Sequence, residues 1–210
     1  MATSIAKENI LKRIREALVN TVPLPFPNSE GNDSVYVHSV EEPIVVFAEE
    51  FTKLQGKFAF CANENDFKLQ LQQLIQQRSW NKIYCIEDGL QNTLQNIDIP
   101  LYADLPSCEV AMTTCEYLVA RTGTIVLTTF QQSGRTASVY APVHICVAYS
   151  SQLVNDVKDA LQLMKEKYAD NFPSFTTFAS GPSRTADIEK TLVTGVHGPK
   201  EVFCFLIDNN

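Results

Sequence analysis

With 210 residues, 45% hydrophobic and 20% charged content and a formal net charge of −7, the chain suits one α/β domain with a short appendage. It can bury roughly 70% of its extended surface without a disulfide or metal staple. The acidic balance argues against a nucleic-acid surface, which needs a basic stripe, and leaves room for a small anionic ligand in a local pocket. No run reaches the length of a membrane span, and the N-terminus alternates charged and apolar residues where a secretory signal runs basic then apolar, so the expected location is the cytosol.

Residues 4–20 read as an amphipathic helix, with Ile10, Leu11, Ile14 and Leu18 at three- and four-residue steps. The run Val22-Pro23-Leu24-Pro25-Phe26-Pro27 cannot continue it, and a polar stretch to Ser34 completes a linker. Residues 1–39 are therefore an arm and linker, and residues 40–210 the folded domain. The arm's apolar face packs either on its own domain or on a second copy, which makes a homo-oligomer contact one of its two readings. His38 lies in the linker region and has no support as a functional residue.

Within the domain, Pro43–Leu54 reads as a helix stopped by Gly56, Lys57–Cys61 as a strand, Glu64–Gln77 as a glutamine-rich helix, Lys82–Ile86 as a strand and Asp88–Ile97 as a third helix. Val110–Met112 is a short strand followed by a helical turn through Tyr117, Leu118 and Val119. Strands are expected at Ile125–Thr128 and His144–Tyr149, then a long helix from Leu153 to Tyr168, and a closing strand at Glu201–Ile207. Short apolar strands alternating with helices predict an α/β, Rossmann-like, mostly parallel sheet with helices on both faces. Its ligand crevice is expected beyond the carboxyl ends of the strands.

Six cysteines are present, and none forms a Cys-x-x-Cys pair. Their spacing fits neither a zinc site nor an iron–sulfur run, so no metal and no cofactor is expected. Cys61, Cys85, Cys146 and Cys204 sit in apolar runs as small buried hydrophobes, whereas Cys108 and Cys115 flank a polar stretch and read as the reachable pair.

Three stretches can carry chemistry. In Thr122-Gly123-Thr124, the glycine between two hydroxyls either presents N–H groups to an anion or makes a tight turn bonded to itself. In the second, Arg135, Ser138, Pro142 and His144 recur at short steps; His144 is either a structural histidine at a strand entrance or a group for proton transfer. The third runs Gly181-Pro182-Ser183-Arg184-Thr185-Ala186-Asp187-Ile188-Glu189 and ends Gly195-Val196-His197-Gly198-Pro199. Its hydroxyls Ser183 and Thr185 suit a helix start that binds an anion, with Arg184 gripping a carboxylate or phosphate or simply pairing with Asp187 or Glu189. His197, flanked by glycines, is the best acid–base candidate, then His144. Gly181 and Gly198 allow close approach of backbone to a ligand. Arg135, Arg184 and His197 are expected to converge on one anion.

This third stretch, in its order and spacing, resembles the C-terminal hallmark of the LUD-domain family, in its lactate-utilisation branch. The other two stretches are similar to that family's patterns, except that Arg121 stands where the family has an acidic residue. The resemblance implies a fold like the ribose-phosphate isomerase, glucosamine-phosphate deaminase and CoA-transferase group. It implies a role in oxidising L-lactate to pyruvate with iron–sulfur partner subunits, this chain being the component without a cluster. A stand-alone enzyme acting on a sugar phosphate or CoA ester and a non-catalytic anion-sensing module are the alternatives.

Overall fold

The computed structural model describes residues 5–19, 41–188 and 191–209. The expected linker, His38 and Glu189 lie outside them. The chain forms two units, the first holding helix α1 (Ile5–Val19) and the second everything from α2 onward.

In the second unit Pro43 opens α2 (Pro43–Lys53), where its missing N–H costs nothing. Strand β1 (Lys57–Cys61) follows, then α3 (Glu64–Arg78), whose Asn63 side chain accepts the N–H groups of Asn65 and Asp66 at 3.0 Å. Next come β2 (Ile83–Tyr84), α4 (Asp88–Thr93) and β3 (Val110–Thr113). After β4 (Tyr117–Val119), β5 (Thr124–Thr128) and the short α5 (Ala137–Tyr140) the chain enters β6 (Val143–Tyr149). The last part holds β7 (Leu153–Val154), α6 (Val157–Tyr168), β8 (Thr176–Ala179), β9 (Arg184–Ile188), β10 (Thr191–Thr194) and β11 (Glu201–Ile207).

The central sheet has five parallel strands in the order β1-β11-β6-β3-β2. Its middle strands are buried on both sides, which is why β6 and β11 are continuous apolar runs. One face carries Val110, Met112, Ile145, Val147, Phe205 and Ile207 against Phe67, Leu71 and Ile75 of α3 and Leu90 of α4. The other carries Cys146, Ala148, Val202, Cys204 and Leu206 against Phe47 and Phe51 of α2.

That second face is shared with a four-stranded sheet, β7-β4-β5-β8, through Leu118, Ile125 and Leu127. Residues Tyr117–Val119, expected as a helical turn, are a strand of this sheet, antiparallel to β5 with Tyr117 opposite Val126. Alternation explains it: Leu118 faces the central sheet while Val119 and Val126 face Ala160 and Met164 of α6. Leu153 and Val154, expected at the head of a long helix, instead pair with β4, and the helix waits for Val157. The helix expected to Ile97 ends at Thr93. Cys108 and Cys115 are buried like the other four thiols, Cys108 under α5 with Ala137 and Ala141 and Cys115 in the core between the sheets; the polar residues beside them do not expose the sulfurs.

Candidate functional site

The helix start expected after Pro182 is not there: Arg184–Ile188 is β9, antiparallel to β10, with Thr185 opposite Val193 and Arg184 opposite Thr194. Hydroxyl-bearing and β-branched residues at Thr185, Ile188, Thr191, Val193 and Thr194 favour a ribbon over a helix. No helix N-terminus therefore offers free N–H groups at this place.

The ribbon brings the two ends of the signature side by side. The Ser183 N–H donates to the Pro199 carbonyl and the Gly195 N–H to the Ser183 carbonyl, both at 2.9 Å. Gly198 is needed because a Cβ there would lie 2.9 Å from Ser183 Cβ. Gly181 has φ +86° and sits against the Leu54 carbonyl, a conformation and an approach closed to other residues.

Both ends line one cleft of about 310 Å³, together with β8 and α5. Its polar walls are Ser138, His144, Thr177, Ser180, Ser183 and His197. Its apolar walls include Val139, Phe178 and Val202. The volume is at the small end of ligand sites, which run from roughly 300 to 1,000 Å³. Among the described residues, none that lines it is a lysine, an arginine or a carboxylate. His144 and Val202 are register partners, each second in its strand, so the cleft lies at the amino ends of the central strands and not at the carboxyl ends.

His144 is fully buried, and burial pushes its pKa down to about 4. Its imidazole is thus neutral at neutral pH and offers a hydrogen bond, not a charge. Its Nε2 lies 2.9 Å from Thr113 Oγ1, at the end of β3. His197, which also lines the cleft, is exposed. Ser180 Oγ is 2.6 Å from Thr124 Oγ1, which is 2.7 Å from Thr122 Oγ1, so a row of hydroxyls runs from the Thr122-Gly123-Thr124 turn to the cleft wall.

Of the residues singled out in the sequence, the cleft gathers Ser138, His144, Gly181, Ser183, His197 and Gly198. Thr124 touches its wall through Ser180. The Gly123 N–H is spent on the Ala120 carbonyl at 3.1 Å. Arg135 and Arg184 are exposed and absent from the lining; the Arg135 guanidinium lies 5.8 Å from the centre of the Phe175 ring. Thr185 lies on β9, also outside the lining. Thr113 and Ser180 carried no motif that would single them out: one ends an apolar strand, the other precedes the signature.

Two further concavities flank α3. They are lined by glutamines, asparagines and aliphatic or aromatic residues, with Lys57 in one and Lys68 in the other. Among the described residues no three His, Cys, Asp or Glu side chains come together as a metal set, and no helix is long and apolar enough to cross a membrane.

The LUD domain profile matches residues 81–207. The chain is 29% identical to lactate utilization protein C of Anoxybacillus flavithermus over 77% of its own length and 79% of that protein. It is 27% identical to the protein of the same name from Halalkalibacterium halodurans over 81% and 80%. The protein of that name from Bacillus licheniformis is 33% identical over 48% of this chain and 42% of its own. In fold, the chain resembles the crystal structure of a DUF162 family protein from Deinococcus radiodurans, with a TM-score of 0.61 at 17% identity, over 79% of this chain and 96% of that one.

Proposed function

The chain belongs to the LUD-domain family, and on that premise we propose that it is a cytosolic component of L-lactate utilisation that holds a small carboxylic acid of the lactate–pyruvate type in the cleft between His144 and His197. One observation carries the reading: the two segments that mark the family in sequence, Gly181–Ser183 and His197–Pro199, are the walls of the cleft. The shared name of the relatives supports the metabolic role.

The lining supports the ligand class. Hydroxyls and imidazoles grip the oxygens of a small acid, while Val139, Phe178 and Val202 accept a methyl group. A phosphate dianion would meet no lysine or arginine among the described lining residues, which speaks against the alternative of an enzyme for sugar phosphates or CoA esters.

The test is a thermal-shift and calorimetric titration of the isolated chain with L-lactate, pyruvate, a sugar phosphate and a CoA ester. Lactate or pyruvate should bind, and Ser183→Ala and His197→Ala should each weaken binding. Stabilisation by the phosphate or the CoA ester alone would reject the reading. Affinity purification from the native cell should bring down proteins containing iron and acid-labile sulfide. If the ligand binds but the purified assembly oxidises no lactate, the anion-sensing alternative takes its place.

A further inference from the structure

Thr113 lies outside the cleft but touches the residue on its floor. Its side chain is buried, and its only hydrogen-bond partner among the described residues is His144 Nε2, at 2.9 Å. Two arrangements satisfy that distance. In one the Thr113 hydroxyl donates to Nε2, and the imidazole proton sits on Nδ1. In the other Nε2–H donates to Thr113, and the threonine proton is left buried without an acceptor. The second leaves a donor unsatisfied where water cannot reach it, which costs about 1–3 kcal/mol, so the first prevails.

His144 Nδ1 has no hydrogen-bond partner among the described residues, yet it is not one of the sealed atoms. The sealed, unpartnered side-chain atoms among the described residues are Glu87 Oε1 and Thr129 Oγ1. Since His144 lines the cleft, its unpartnered Nδ1 is the ring nitrogen left for a ligand there.

We propose that Thr113 is a positioning residue which fixes His144 as its Nδ1–H tautomer, so that the floor of the cleft presents a hydrogen-bond donor and recognises a ligand by a carbonyl, carboxylate or hydroxyl oxygen. This rests on the cleft being the ligand site, as argued above. A neutral donor held by a second residue is directional, and it keeps its proton across the physiological pH range. It grips oxygen and turns away a group that can only donate, such as an ammonium.

The experiment is nitrogen-15 NMR of the histidine side chains, which separates a protonated from an unprotonated ring nitrogen. In the wild-type protein without ligand, His144 should carry its proton on Nδ1, with Nε2 as an acceptor; a proton on Nε2 overturns the assignment. Pyruvate should then shift the Nδ1 resonance. Thr113→Val should weaken pyruvate binding about tenfold, by the loss of one hydrogen bond's orientation, and Thr113→Ser should restore it. Unchanged affinity in Thr113→Val refutes the positioning role, and the wild-type spectrum decides the tautomer even if that variant fails to fold. A proton on Nδ1 with no response to pyruvate upholds the tautomer and sinks the ligand reading instead.

Discussion

Arg121 and Asp156 form an ion pair that ties the turn before β5 to the start of α6. The Arg121 N–H also donates to the Asn155 carbonyl at 3.1 Å. Asp156 is almost wholly buried, and Asp159 accepts its backbone N–H at 3.0 Å. Arg121 therefore has a structural partner inside this chain, and its charge is engaged with Asp156. Asp156→Ala removes both the buried partner and the N-cap of α6, and should cost about 3 kcal/mol. Asp156→Asn keeps a capping side chain and should cost less. Urea denaturation measures both, and equal losses would mean that the charge contributes nothing.

Gly123 supplies the second prediction. It has φ +54°, and a Cβ there would strike the backbone of Glu50 and Phe51 in α2. Gly134 has a similar φ of +61° with open space around it. Backbone strain alone costs about 1–2 kcal/mol. Gly134→Ala should therefore lose only that, whereas Gly123→Ala must also push α2 away from the sheet and should lose at least about 3 kcal/mol. Comparable midpoint shifts in denaturant would refute this account of Gly123 as a close-packing residue.

The contrast between these two glycines also shows what could be read in the sequence. Glu201–Ile207 declared itself because a strand buried on both faces is a nearly continuous apolar run, and Lys57–Cys61, an edge strand, did so by its short apolar run Phe58-Ala59-Phe60-Cys61 just after Gly56. Tyr117–Val119 and Leu153–Val154 did not, because runs of two or three residues carry no period and become strands only by pairing, the first with β5 and the second with the first. His144, Ser183 and His197 were visible as chemistry-bearing types near glycines and prolines, and they do meet at one cleft. Their support was invisible: Thr113 looks like any strand-ending threonine until β3 and β6 are placed side by side. Arg135 and Arg184 attract notice by charge, but charge alone does not say which way an exposed side chain on a loop or a ribbon faces.

The thiols give a third prediction. Burial pushes Cys61 up to about 12 and Cys85 up to about 11. Cys108 is also raised by burial, and Cys115 is raised by its hydrogen bond to Cys146 and by burial. The thiolate is the reactive form, so both access and ionisation protect these sulfurs. An aromatic disulfide reagent at neutral pH should label less than about one thiol per native chain quickly, and all six after denaturation. Rapid labelling of Cys108 or Cys115 in the native protein would contradict their burial.

Glu116 sets the acid limit of the fold. Its side chain is 5% exposed, where it accepts from Lys167 Nζ at 2.8 Å, Tyr168 Oη at 2.6 Å and Thr128 Oγ1 at 2.9 Å, joining β4, β5 and α6. Burial alone would raise its pKa, but the bonds from Lys167, Tyr168 and Thr128 outweigh burial and hold it below the usual glutamate range. A carboxylate depressed on folding stabilises the fold fully above its unfolded pKa, about 4.3, and loses that contribution as the pH falls through the folded value. Glu116→Gln should therefore cost about 2 kcal/mol at pH 7, the worth of a charged hydrogen-bond set. The gap between variant and wild type should close as the pH falls from about 5 to 3. Denaturation in urea at several pH values measures this, and a gap that stays constant down to the acid limit would show that shape, and not charge, is what Glu116 contributes.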